Sequence, residues 1–114
     1  MSKEEYSALK IGDKVWLFDI EFSVHGNLYY NMIAKLEKLE GKDRFKILDV
    51  KMGSSFKPGD TQYLPEWKHS VKMFKDYNEG VDYWNSIILN KIDYMTSIYE
   101  KMIKRAKSKL LKKK

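Results

Sequence analysis

The side chains that could carry out chemistry are few, and their spacing matches no catalytic motif. The chain has two histidines, His25 in a turn that contains Gly26, and His69 two residues after Trp67. Ser23 precedes His25 by two residues, so the two side chains would lie on the same side of a strand. A hydrolytic triad also needs an orienting acid, and no nucleophile-elbow pattern surrounds this serine. We therefore expect both histidines to be solvent-facing turn residues.

Carboxylates offer two further arrangements. Asp19 and Glu21 would share one face of a strand and could bind a hard cation, but such sites recruit more ligands than one pair supplies, so we expect a solvated strand face. Asp49 and Lys51 form the acid-x-Lys fragment of metal-dependent nucleases, whose Mg²⁺ needs another acid from a neighbouring strand, such as Asp19 or Glu21. The absence of cysteine excludes thiolate ligands and cysteine nucleophiles. We predict no metal, no cofactor and no enzymatic activity; a metal-dependent nuclease is the least favoured alternative.

The strongest charge feature is the basic tail, residues 101–114, which contains eight Lys or Arg and no acid. Residues 1–100 contain fourteen Lys and Arg against sixteen Asp and Glu, so the formal net charge of +6 combines −2 from the body with +8 from the tail. A helix dipole stabilises only about two or three cations in the last turn. The predicted partner-binding cations are Lys101, Lys104, Arg105, Lys107, Lys109 and Lys112.

Four interpretations of the tail stay open at this point. Its cations are simply solvated, or they contact an acidic protein surface, or they neutralise the phosphates of a nucleic acid. Adsorption to a membrane surface is less favoured, because the apolar residues from Trp84 to Met102 are expected to pack on the body and leave only Leu110 and Leu111 to insert.

A second predicted contact surface combines a loop with aromatic residues. The segment 53–60 (GSSFKPGD) is the clearest loop in the chain, and it lacks the Gly-Lys-Ser/Thr ending of a phosphate-binding P-loop. Trp67 stands in a polar stretch after Pro65, where an exposed ring could contact a protein or a nucleic acid base. The predicted contact residues here are Phe56, Lys57, Tyr63 and Trp67.

Hydrophobic alternation predicts five short strands, at residues 14–22, 28–39, 44–52, 61–64 and 70–74. In the first, Trp16, Phe18, Ile20 and Phe22 form an apolar inner face. From Val81 the period becomes helical, with one apolar stripe formed by Val81, Trp84, Ile88, Met95, Tyr99, Met102 and Ala106 and flanked by Ile92 and Ile98.

The predicted helix is unusually long for so small a chain. Asp76 and Glu79 form a plausible capping box, and no Pro or Gly follows Val81. Such a helix would measure roughly 50 Å, against a radius of gyration near 13 Å for a domain of this size, so we expect its final turns to project beyond the body or to fray. The stripe is also compatible with a homodimer through the C-terminal helix.

Length and composition limit the remaining choices. A chain of 114 residues with 43% hydrophobic and 14% aromatic residues predicts one domain, with a β-barrel at 10–75 and the helix with its basic overhang at 76–114. The sequence contains no apolar run of about 18 residues, so no membrane span is predicted. The charged N-terminus lacks a secretory signal and cysteine is absent, which favours the cytoplasm.

Two segments resemble known proteins. The segment 10–17 (KIGDKVWL) resembles the first strand of SH3-like and KOW-like barrels, and the segment 74–84 (FKDYNEGVDYW) is similar to the end of small phage-type proteins. The resemblance implies an α+β fold, a small SH3-like antiparallel β-barrel of about five strands closed by one long C-terminal amphipathic helix.

Together these observations predict a non-enzymatic binding protein, a phage or bacterial accessory or inhibitor protein that engages a macromolecular partner. It would act in the cytoplasm, or in the host cytoplasm if a phage encodes it. The alternative is a nucleic-acid-binding SH3-like module that uses the basic helix.

Overall fold

The alternating first half of the chain forms an antiparallel sheet, and the helical period of the second half forms one long helix. The computed structural model of the protein describes residues 1–113. Its strands are β1 (Lys14–Phe22), β2 (Leu28–Lys38), β3 (Arg44–Met52), β4 (Thr61–Tyr63) and β5 (Met73–Phe74). Its α-helices are α1 (Lys3–Ser7), α2 (Glu66–His69) and α3 (Tyr77–Lys107), and a 3₁₀ turn at Ser70–Lys72 links α2 to β5.

The sheet is open, so the predicted barrel is wrong. The strand order is β4-β3-β2-β1-β5 with all pairs antiparallel, and the two edge strands do not pair with each other. β4 has three residues and β5 only two, which is too little strand for the tilt and stagger of a closed barrel. The α+β class, the five-stranded antiparallel sheet and the long C-terminal helix are confirmed.

Strand boundaries follow the predictions except near the last strand. The predicted strand 28–39 forms as one long strand, β2, which pairs with β1 from Lys14↔Glu37 to Phe22↔Leu28. The predicted strand 70–74 is mostly wrong, because the chain runs from α2 into a 3₁₀ turn and only Met73 and Phe74 pair with β1.

β1 is buried on both faces, whereas the alternation predicted a single inner face. One core forms on the side of β1 that carries Val15 and Leu17. These two side chains belong to one buried cluster with residues of β2 and β3, with Tyr6 of α1, and with Leu64 and Met73. The hydroxyl of Tyr6 in α1 lies 2.6 Å from both Asp43 Oδ1 and the Leu64 carbonyl oxygen, which joins α1 to this core. Burial and the Asp43 carboxylate raise the pKa of Tyr6, so the hydroxyl keeps its proton.

The opposite face of β1 carries α3. Phe18 is fully buried and contacts Phe74, Tyr77 and Trp84 at ring-centroid distances of 6.0, 5.4 and 6.4 Å. Asp76 caps the helix by accepting a hydrogen bond from the Asn78 amide, without the reciprocal bond of a capping box. Helix α3 therefore packs on β1 and β5 through its first turns.

The later turns of α3 extend beyond the sheet and the short helices packed on it, which together are called the body below. Every residue from Thr96 to Lys113 is exposed. The molecule measures 77 × 28 × 22 Å, with a radius of gyration of 19.9 Å. The expected projection of the helix is confirmed, and residues 96–113 are called the overhang below. Within residues 1–113, no helix combines the length with the hydropathy that a membrane span requires.

Candidate partner-docking surface

The overhang presents an apolar stripe that the body does not cover. Trp84, Ile88 and Met95 turn toward the body, and Tyr99 and Met102 continue the same helical face one and two turns later. Tyr99 is 65% exposed and Met102 62% exposed. The prediction that the stripe packs on the body as far as Met102 is therefore wrong, because the sheet ends near Met95. Exposed apolar patches of this kind mark interaction surfaces.

The body ends at the turn between β1 and β2. Gly26 has φ 86° and lies directly against the Met95 thioether, so a side chain at this turn would collide with α3. Beyond this contact an apolar groove of about 330 Å³ opens between the turn Val24–Gly26 and the helix residues 94–102. We call it the hairpin groove. His25 lines it and is exposed, as predicted.

Cations surround the stripe. The six predicted partner-binding cations all lie on the overhang or at its helical end, together with Lys113, and all seven are exposed. No salt bridge within residues 1–113 involves any of them. Lys114, the last residue of the predicted tail, lies outside the described residues. The overhang is thus a basic amphipathic segment with both its apolar and its charged groups open to a partner.

The structure does not bring the two predicted contact surfaces together. Tyr63 is exposed on β4, at one edge of the sheet. Helix α3 packs at the other edge, on β1 and β5. Trp67 is 83% exposed on α2, whose Glu66 pairs with Lys3 near α1. Lys57 is exposed, whereas Phe56 packs against the core beside β3.

A polar cluster that the sequence did not reveal lies on the Leu17 face of the sheet. Lys72 Nζ lies 2.8 Å from Asp19 Oδ1 and 3.2 Å from Glu21 Oε1, and the Tyr29 hydroxyl donates a 2.8 Å hydrogen bond to Glu21 Oε2. Asp19 is only 3% exposed. The expectation of a solvated carboxylate pair is wrong for Asp19, because the 3₁₀ turn places Lys72 over it. No sequence signal identifies this partner, which is 53 residues away.

The charges of this cluster stabilise one another. The hydrogen bond from Tyr29 lowers the pKa of Glu21 and raises that of Tyr29. Burial alone would lower the pKa of Lys72, but its bonds to Asp19 and Glu21 raise it overall. Lys72 therefore remains charged between the two carboxylates and occupies the oxygens that a cation would need. Within residues 1–113, no group of three or more acid, His or Cys side chains is placed to hold a metal.

His69 also borders this cluster, and the prediction that it faces solvent is wrong. It is 8% exposed, and its Nδ1 has no hydrogen-bond partner. Burial lowers its pKa below the ordinary value of 6.5, which favours the neutral imidazole. The residue is buried because α2 turns its last side chain inward before the 3₁₀ turn.

The proposed nuclease residues do not share a face. Asp49 pairs with Lys35, which pairs with Trp16, so Asp49 lies on the α3 side of the sheet. Lys51 Nζ lies 5.7 Å from the centre of the Trp16 ring on that side. Asp19 and Glu21 alternate with Trp16 and point to the other side. The arrangement that a metal-dependent nuclease requires is therefore not assembled by these four residues.

Comparison of the chain with protein-family models, with curated proteins and with solved structures finds no match. The resemblance to SH3-like barrels consequently has no support beyond the two short segments that suggested it. The fold and the overhang define a small α+β protein with a projecting basic amphipathic helix.

Proposed function

We propose that this protein is a non-enzymatic binding protein that docks on a partner protein through the overhang. The observation that carries the proposal is the complete exposure of residues 96–113, which combine an apolar stripe with seven cations. An accessory or inhibitor protein of a phage or bacterium, acting in the cytoplasm, fits such a role.

The spacing of the exposed apolar residues supports a protein partner. Tyr99, Met102, Ile103 and Ala106 follow the i, i+3, i+4, i+7 pattern with which an amphipathic helix fills an apolar groove. The flanking cations would meet acidic residues at the rim of that groove, which speeds association and fixes orientation. The partner is therefore a protein with an apolar groove and an acidic rim. Trp67 and Tyr63 offer a separate, second contact area.

Capture from a nuclease-treated bacterial lysate tests the proposal. The full chain should retain one protein in stoichiometric amount. Met102→Glu should reduce retention about tenfold or more, because the loss of one apolar anchor costs at least about 1.4 kcal/mol. Ser97→Glu is the matched control, since it places the same acid on the opposite side of α3 and should retain the partner. Equal retention by both variants, or no retained protein, would contradict the proposal.

Nucleic acid is the second candidate partner, favoured by the seven cations that have no acidic partner within the described residues. Each neutralised phosphate contributes a slope of about −0.9 to log K against log salt, so five to seven contacts predict a slope of about −4.5 to −6.3 on duplex DNA. Fluorescence anisotropy at about 50 and 200 mM salt measures it. Absence of binding at the lower salt concentration removes this candidate.

A further inference from the structure

We propose that, in the isolated protein, the overhang packs antiparallel against the overhang of a second copy, and that Leu110 and Leu111 of each chain occupy the hairpin groove of the other. The inference rests on the proposed role of the overhang as a protein-docking surface, and it names the first occupant of that surface.

Two complementary apolar features lie at opposite ends of the overhang. The hairpin groove lies at its base, beside Met95, and the strongly exposed Leu110 and Leu111 lie at its tip. The base and the tip are about 20 Å apart along the chain if each residue rises about 1.5 Å. A two-fold axis midway, near Met102 and Ile103, would place each tip on the opposite base. Such a contact uses the same patch twice and therefore closes as a dimer.

The charge gradient of the overhang favours the antiparallel direction. Residues 91–100 contain Asp93 and Glu100 and one cation, Lys91, whereas residues 101–113 contain seven cations and no acid. Asp93 and Glu100 share the side of α3 that carries Ser97, away from the stripe, so in an antiparallel pair they attract the basic tip of the other copy at a distance and not as direct ion pairs. A parallel pair would place the two basic tips side by side, and like charges in contact are strongly disfavoured.

The surface available for this contact is that of a small dimer interface. Stable interfaces use roughly 20–30 residues and about 800 Å² on each side. The overhang and the turn residues 23–28 contain 24 residues per copy, which is an upper limit because residues on the Ser97 side of the helix face away from the second copy. The body cannot cover the stripe itself, because the β1–β2 turn reaches only as far as Met95. Docking of a different partner protein on the stripe would then require displacement of the second copy.

Light scattering coupled to size-exclusion chromatography tests the dimer. The full chain should have twice its 13.6 kDa mass at low salt. Met102→Glu should shift the chain to the monomer, and Ser97→Glu should leave it dimeric. Raising the salt from about 0.1 M to 1 M shortens the screening length from about 10 Å to 3 Å, so a dimer that persists at 1 M salt is held by its apolar contacts.

Engineered cysteines test the direction, because the chain has none of its own. Ile103→Cys lies near the two-fold axis and should cross-link to itself on oxidation. Leu110→Cys should not cross-link to itself, but should do so with an added His25→Cys chain. Efficient self-cross-linking of Leu110→Cys would mean a parallel pair and overturn the proposal.

The remaining outcomes separate this inference from the proposed function. A monomer that still captures a partner protein through Met102 overturns the dimer and leaves the function intact. A monomer that captures none overturns both. A monomer that co-sediments with phosphatidylserine vesicles, or that binds duplex DNA with a steep salt slope, assigns the overhang to a membrane or to nucleic acid and overturns the dimer.

Discussion

Gly80 lies directly against the ring of Phe18, so closely that a Cβ at Gly80 would overlap three atoms of the ring. Phe18 is fully buried, and Tyr77 and Trp84 pack around the same ring. The contact sets the position at which α3 crosses β1. Because α3 is continuous to Lys107, the same contact sets the direction in which the overhang leaves the body.

Gly80→Ala should destabilise the protein, although the same substitution usually stabilises a helix by about 0.5–1 kcal/mol. The added methyl group must displace Phe18 or lift α3, and overpacking of this kind costs about 1–3 kcal/mol. Urea denaturation of the two chains measures the change. Phe18→Leu makes space, so the alanine should cost less in a Phe18→Leu background. An equal cost in both backgrounds would contradict the contact.

Lys72→Met should destabilise the fold by about 3 kcal/mol, because it leaves the buried Asp19 carboxylate without its cation. Lys68→Met removes an exposed cation four residues earlier and should change the stability by less than about 0.5 kcal/mol. Adding Asp19→Asn to Lys72→Met should recover part of the loss. If the two lysine variants are equally stable, the cluster contributes nothing to the fold.

The fold was predictable where local pattern decides it. The alternation in 14–22 and 44–52 and the helical period after Val81 come from the side chains of each segment alone, and these elements formed as predicted. Closure of the sheet depends on strands of sufficient length at both edges. That length is decided by how α2 and the 3₁₀ turn follow Pro65, which no hydrophobic period encodes.

The candidate site was predictable in its charges and not in its partners. The cations of the overhang are evident from composition, and its exposure follows from the length of the helix. The burial of His69 and the pairing of Asp19 with Lys72 depend on contacts between residues far apart in the chain. The exposure of Tyr99 and Met102 depends on where the sheet ends, and the uniform period of the stripe does not mark that point.

Acidification should destabilise the protein through His69. Burial lowers its folded-state pKa below the ordinary value of 6.5, so the unfolded chain binds a proton first and stability falls as the pH drops below about 6.5. Urea midpoints between about pH 7.5 and 5.5 measure this slope. The slope should diminish in His69→Gln and persist in His25→Gln, which changes the exposed histidine. A slope that follows His25 would contradict the burial.

Deletion of residues 107–114 should separate the fold from its binding role. Every described residue of this segment is exposed, so the thermal stability of the body should change by less than about 0.5 kcal/mol. The deletion removes five lysines together with Leu110 and Leu111, so it should abolish the dimer and should abolish or weaken partner capture. A matched chain with Gln at the five lysines and both leucines retained distinguishes the two contributions. Under the antiparallel arrangement this chain should dimerise more weakly than the native chain, and with less dependence on salt, because its apolar contacts persist without the cations. Unchanged dimerisation and capture after the deletion would leave the tail as a solvated helix end and direct attention to Trp67 and the loop 53–60.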